Sequence, residues 1–321
     1  DYYSTFVKNL QKRREIVSNA DKDDIMADLT ASGGIPTGFK TLDETLHGWH
    51  RGNIILVAAK AGVGKSICAV DFAINAARSG ASVLFFSMEM EMDEIVTRMV
   101  SCDTGIPINA IQTGRLDDRG MKKITESQSL LNMKIRVDTS NDMSIDYIRS
   151  STQKMAQSDA GVDLVIIDYI GLIKYYGRSD NRQNQVAEIS RSLKEMAMSL
   201  DIPVIVLAQL NNRDRGEEAD QEPTLAIIRE SGAIANDSNV IILLHRKKND
   251  GNDRPEPGKE GAPTKFIIAK NRNGGTGSFL CHSWLWKSQF DEMPKDGSLI
   301  GSDNNQSVSN DSTVMPDNDG E

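Results

Sequence analysis

Cysteine is scarce in this chain. Cys68, Cys102 and Cys281 are odd in number and far apart, which excludes a disulfide framework and any spaced set of thiolate ligands for a metal. There are four histidines. Only His47 and His50 stand close together, and an i, i+3 pair without a third ligand is no metal motif. No apolar run approaches membrane-spanning length, and no secretory signal opens the sequence; a reducing cytoplasm is the expected compartment. There is no internal repeat. Aromatic residues are 5% of the chain, too few for a surface that stacks successive bases, so any hold on a nucleic acid is expected through its backbone.

What is present describes a soluble globular protein. The 321 residues fit one large domain or two small ones. The net charge of −9 is unevenly spread. Residues 291–321 hold eight acidic side chains and one Lys, so the body is near neutral, and binding of a polyanion would depend on local basic loops. The chain opens on Asp1 rather than Met and is expected to be a piece of a longer protein.

Along the chain, Tyr3, Phe6, Val7 and Leu10 fall at helical spacing, and Ile25, Met26 and Leu29 repeat it. A helical segment is expected over residues 1–29, with its stripe buried either on itself or on a neighbouring subunit. After the loop Ser32–Gly38, apolar runs alternate with helical patterns. Strands are expected at 53–59, 82–87, 134–137, 163–168, 203–208, 240–244, 265–269 and 278–281, and helices at 65–79, 91–103, 117–130, 144–158 and 181–200. Continuous runs such as Leu164–Ile167 and Val204–Leu207 suit strands buried on both faces. The expectation is an α/β fold with a mostly parallel central sheet flanked by helices, the last two strands antiparallel. Residues 247–263 read as a polar loop, and 294–321 as a disordered acidic tail.

Ala59-Lys60-Ala61-Gly62-Val63-Gly64-Lys65-Ser66 lies between a strand and a helix that begins near Ile67. This is the context of a phosphate-binding (Walker A) loop. Gly62 and Gly64 let backbone N–H groups turn toward a polyphosphate, and the helix start adds its dipole. Lys65 is suited to the β- and γ-phosphates, and Ser66 to Mg²⁺. Ala59 stands where the full pattern has Gly, which matters only if that position needs φ > 0. Asp168 ends the strand Val162–Ile167, where a carboxylate suits an outer hold on Mg²⁺. Glu89 follows another strand and can orient and deprotonate a water, but Glu91 and Glu94 are also near. Gln209 ends a third strand, as a γ-phosphate sensor or an ordinary strand-end donor. Lys270 and Arg272, two apart, form either a solvated strand edge or a cationic finger pair. The loop Lys174–Arg182, with Arg178 and Arg182, is the best local basic patch; its Tyr175 and Tyr176 serve stacking or packing. The segment Arg229-Glu230-Ser231-Gly232 is either a plain loop or a phosphate grip.

Taken in order, these stretches resemble the C-terminal ATPase domain of DnaB-type replicative helicases, a RecA-like fold. The likeness runs from about Gly34 to Phe290. It is carried by Ile35–Asp43, Phe86–Met90, Ile167–Ile173, Asn181–Lys194, Leu207–Asn211, Arg229–Ile234 and Lys270–Gly274. The resemblance implies ATP and Mg²⁺ as cofactors, with Ala59, Gly62, Val63, Gly64, Lys65, Ser66 and Ile67 around the nucleotide and Ser66 and Asp168 on the metal. It implies Glu89 as general base, Gln209 as sensor, and Lys270 and Arg272 as fingers acting on the neighbouring subunit. It implies Arg229, Glu230, Gly232, Arg178 and Arg182 at the DNA. It further implies a homohexameric ring moving 5′→3′ on single-stranded DNA in a bacterial or phage-infected cytoplasm, with primase, helicase loader and polymerase as partners and no membrane. Two positions depart from the family: Ala59, and Gln185 where Glu is usual. The family's N-terminal helical domain is absent from the sequence. The domain expectation is a linker over 1–33, the ATPase over 34–290 and the tail over 291–321. The alternatives are a RecA-like recombinase and an ATP-binding loading factor.

Overall fold

The long apolar runs of the sequence become adjacent strands. The computed structural model of the chain describes residues 33–127, 132–178, 181–210, 221–225, 228, 233–247 and 262–294, with Lys8, Gln11 and Lys12. The strands are β1 (Ile54–Ala59), β2 (Val83–Ser87), β3 (Ile135–Asp138), β4 (Leu164–Asp168), β5 (Val204–Gln209), β6 (Val240–His245), β7 (Ala262–Asn271), β8 (Gly277–Trp284) and β9 (Gln289–Glu292). They form one sheet in the order β3-β2-β4-β5-β1-β6-β7-β8-β9. The strands from β3 to β6 in that order are parallel; β7, β8 and β9 extend the β6 edge antiparallel.

Alternate side chains of β1 feed two cores. Ile55, Val57 and Ala59 pack with α2 (Lys65–Arg78), whose Phe72, Ala73 and Ile74 are buried. Ile54, Leu56 and Ala58 pack with Ile148 of α6 (Ile145–Ala156) and with Ile189 and Leu193 of α7 (Arg182–Leu200). Each such aliphatic side chain contributes about 1.5–3 kcal/mol by leaving water. The burial of β1, β2, β4, β5 and β6 on both faces explains why their sequences are continuous rather than alternating.

The remaining helices are α1 (Lys40–Leu46), α3 (Met92–Thr104), α4 (Ile108–Thr113), α5 (Asp118–Thr125) and α8 (Ala233–Asp237). An aromatic cluster knits the antiparallel edge onto α1 and α2. Phe266 stacks on Phe279 at 5.2 Å, Phe39 lies 5.4 Å from Phe266, and Phe72 meets Phe39 and Trp49 edge-on. Beneath it, buried Asp71 of α2 accepts hydrogen bonds from Cys102 Sγ (3.0 Å) and from the Phe290 amide of β9 (2.7 Å).

Sequence patterning missed α1, α4, α8 and β9. The first three are of five to seven residues, too short for a full periodic stripe. β9 has one buried apolar side chain, Phe290, at the edge of an acidic stretch. The N-terminal helix expected over 1–29 lies outside the described residues except for Lys8, Gln11 and Lys12, which are helical and exposed. Most of the 247–263 loop and all but Pro294 of the 294–321 tail also lie outside them.

Candidate nucleotide-binding site

β1 sits between β5 and β6, while the chain leaving β1 crosses to β2 on the far side of β4. The C-terminal ends of β1, β2, β4 and β5 therefore gather along one edge of the sheet, which is where open parallel sheets bind ligands. The loop after β1 turns on Gly62 (φ 79°) and Gly64 (φ 110°), values that side chains avoid. Gly64 is also the N-cap of α2, and a Cβ there would lie 2.9 Å from the Phe290 ring. Among the described residues, non-glycine positive φ occurs only at His47, Asp201 and Ser288. Ala59 thus stands in backbone open to any residue, packed in the core at the end of β1. Val63 and Ile67 anchor the loop from below as members of the same core.

Lys65 opens α2 and is nearly buried. Its Nζ lies 3.4 Å from Asp168 Oδ1, 3.7 Å from Glu89 Oε2 and 4.1 Å above the Tyr169 ring. Asp168 is fully buried at the end of β4. Neither of its oxygens, nor Lys65 Nζ, has a hydrogen-bond partner among the described residues. Buried polar atoms left so are costly unless a ligand completes them. Ser66, half-buried, follows Lys65 in the first turn of α2. A carboxylate and a hydroxyl beside a glycine loop form an oxygen donor set that fits Mg²⁺ on a polyphosphate.

Glu89 extends from the end of β2. The Ser87 hydroxyl donates to Met90 O and accepts from Met90 N, and Met88 N donates to Asp168 O, so the turn carrying Glu89 is tied to the Asp168 strand. Of the three carboxylates open in the sequence, Glu89 pairs with Lys65; Glu91 is the N-cap residue of α3 and Glu94 lies in its first turn. Gln209 is opposite Ala59 in the β1–β5 register, and Leu210 N donates to Ala59 O, so the end of β5 borders the start of the loop. Two neighbours escaped sequence reasoning. Tyr169 lies inside a quoted motif, but its role against Lys65 needs the fold. Arg246, just past β6, donates to Gly62 O at 2.7 Å; only the strand order brings it there.

Lys270 and Arg272 lie elsewhere. A bulge in the β6–β7 ladder sets Ile241 opposite Lys270 but Ile242 opposite Ile268. The extra residue turns Lys270 to the α7–α8 side, and Arg272, two residues on, lies on that same side, while the Asn271 side chain between them reaches Thr45 O. Lys270 Nζ donates to Ala235 O (2.7 Å) and Asn236 O (3.1 Å), and Arg272 to Asn236 O (2.7 Å), at the C-terminal end of α8. Burial, Arg272 and Lys194 lower the Lys270 pKa, opposed by Asp237. The pair stands at the N-terminal ends of β1 and β6, about 15 Å of strand from the glycine loop of the same chain.

Arg182 donates to Gly171 O, Ile173 O and Gln185 Oε1, bracing the turn after β4, while Arg178 is exposed. The neutral Gln185 serves as an acceptor there. Arg229, Glu230 and Gly232 lie outside the described residues.

A parallel sheet with this glycine loop, buried lysine and strand-end carboxylates defines a RecA-like P-loop nucleotide-binding domain. The chain belongs to the family described as DnaB-like helicase C terminal domain, whose profile matches residues 34–292. It is 38% identical over 264 residues to the replicative DNA helicase DnaB of Leifsonia xyli subsp. xyli, covering 82% of this chain and 55% of that protein. It is 38% identical over 248 residues to the replicative DNA helicase DnaC of Bacillus subtilis, covering 76% and 53%. The chain thus spans about half the length of the curated relatives it matches. Among solved structures it resembles a DnaB-like replicative helicase described with its interactions with primase (TM-score 0.73, 25% identity, 91% of this chain and 77% of that one). It also resembles a second solved chain, described as an ATPase domain (TM-score 0.76, 28% identity, 89% and 98%).

Proposed function

We propose that this chain is the ATP-hydrolysing motor of a replicative DNA helicase. It works as a homohexameric ring that moves 5′→3′ on single-stranded DNA and unwinds duplex at the fork. Residues 34–290 carry the motor, 1–33 are the linker and 291–321 the tail. Primase, a loader and a polymerase are its partners in a bacterial or phage-infected cytoplasm. Among the described residues no helix is long and apolar enough to cross a membrane.

The carrying observation is the division of charge across the sheet. Lys65, Glu89 and Asp168 converge at one edge, whereas Lys270 and Arg272 stand at the other. That pair is out of reach of its own chain's nucleotide but available to a neighbour's. In the assembled site, backbone N–H groups from Gly62 to Ser66 hold the phosphates and Lys65 bridges the β- and γ-oxygens. Ser66 and Asp168 would hold Mg²⁺, which when bound supplies neutralising charge to those oxygens. Glu89 orients the attacking water and takes its proton. Lys270 and Arg272 of the adjacent subunit stabilise charge on the transferred phosphoryl group, and Gln209 senses its loss. The Arg229 side chain and the backbone N–H groups of Glu230 and Gly232 grip the DNA backbone together with Arg178, and Arg182 braces the loop that carries Arg178.

Steady-state hydrolysis with and without single-stranded DNA tests the motor. Glu89→Gln is expected to lower kcat by about 10²–10⁴-fold while nucleotide binding persists. No DNA-stimulated hydrolysis in the wild type would sink the motor. Unwinding of forks with opposite tails tests polarity, and filaments instead of rings in electron micrographs would favour a recombinase.

A further inference from the structure

We infer that Lys194, on α7, is a positioning residue that sets the Lys270/Arg272 pair for the neighbouring subunit's nucleotide; this rests on the in-trans reading above. Lys194 is half-buried where α7 crosses the N-terminal ends of β1 and β6. Its Nζ donates to Asn239 Oδ1 (2.7 Å) and Gly52 O (3.2 Å). Asn239 is a junction. Its Oδ1 also accepts from Ile54 N (3.1 Å), its amide donates to Ile54 O (2.8 Å), and its carbonyl accepts from Arg272 N (3.0 Å). A single amide side chain, oriented by Lys194, thus fixes the start of β1 against the residue that fixes the backbone of Arg272.

Charge makes the same connection. Burial and then the Arg272 charge lower the pKa of both Lys194 and Lys270, Lys194 adds to the effect on Lys270, and Asp237 opposes it at both. Asp237 is held by the Ser190 hydroxyl at 2.5 Å, from the same helix as Lys194. The cluster therefore holds three cations about one carboxylate, and its excess positive charge is oriented by α7. Without the Lys194 ammonium, Asn239 Oδ1 and Gly52 O lose a charged donor. Asn239, whose carbonyl accepts from Arg272 N, is then held to β1 through Ile54 without the Lys194 anchor, and Lys270 is free to settle toward Asp237. Displacements of about 1 Å in such groups cost up to about 10²-fold in rate.

The test separates giving fingers from using them. Full-length chains carrying Lys65→Ala cannot hydrolyse ATP but still present Lys270 and Arg272 to a neighbour. They are mixed in excess with wild type, and the rate is read per wild-type subunit. Dopant carrying Lys65→Ala with Lys194→Gln is expected to depress that rate about tenfold below Lys65→Ala alone, and Lys65→Ala with Lys194→Arg to restore it. Lys194→Met, which keeps the apolar stem, replaces Lys194→Gln if the latter does not enter rings. The inference is overturned if the Lys194 dopants match Lys65→Ala while dopant with Arg272→Ala depresses the rate. If the Arg272→Ala dopant has no effect either, the in-trans reading fails and the inference with it.

Discussion

Asp71 gives the sharpest test of how the phosphate-loop helix is held. It lies in α2, fully buried, six residues after Lys65, and accepts bonds from Cys102 and from the Phe290 amide. Burial raises its pKa from 3.8 to about 7, only partly offset by those two hydrogen bonds. The folded protein therefore binds a proton more tightly than the unfolded chain. Stability from this group is complete below pH 3.8 and is lost as pH rises to about 7. The full loss is about 4 kcal/mol, of which about 2.5 kcal/mol falls between about pH 5 and pH 8. Asp71→Asn keeps the size and an acceptor for the Phe290 amide but cannot ionise. Denaturant unfolding of both proteins across that range gives two stability profiles. Other titrating groups cancel in their difference, so wild type should lose about 2.5 kcal/mol relative to the variant from pH 5 to pH 8. Parallel profiles would refute both the buried charge and its place under the loop.

Gly64→Ala puts a Cβ at φ 110° and 2.9 Å from the Phe290 ring. It should cost about 1–3 kcal/mol in thermal or denaturant stability and abolish binding of a fluorescent ATP analogue. Arg246→Ala frees the Gly62 carbonyl. KM for ATP should rise by about 10- to 100-fold, from the roughly 1.5–3 kcal/mol typical of a hydrogen bond from a charged donor, with Tm within a few degrees of wild type.

Much of the parallel half of the sheet was legible because strands buried on both faces write themselves as unbroken apolar runs; β1, β2, β4, β5 and β6 fall within one residue of their expected ends. Chemistry at strand ends was legible for the same reason, since a charged residue terminating such a run stands out, as Asp168 does. Three kinds of information were not written locally. Helices of five to seven residues carry no periodic stripe. The bulge opposite Ile241 shows no glycine or proline, so the side to which Lys270 turns could not be read from its spacing. Neighbours made by strand order, such as Arg246 beside Gly62, are about 180 residues apart in the chain. Ala59 shows the converse: the motif's preference for Gly there is not a backbone requirement in this fold, because the demand for positive φ begins at Gly62.

The same topology places the two groups of charged residues that the proposed function joins at opposite ends of the sheet. In the parallel part of the sheet, every crossover returns the chain to the starting edge, so loops leaving β1, β2, β4 and β5 share one end. The β6–β7 reversal is what carries cations to the other end, because an antiparallel strand finishes where its parallel neighbour begins. Lys270 and Arg272 lie at that finish, and α7 and α8 pack beside it. The separation of half-sites is thus a consequence of strand direction rather than of any loop's conformation. Under the proposed function, a second copy of the chain would join them by setting its β7 end against this one's glycine loop.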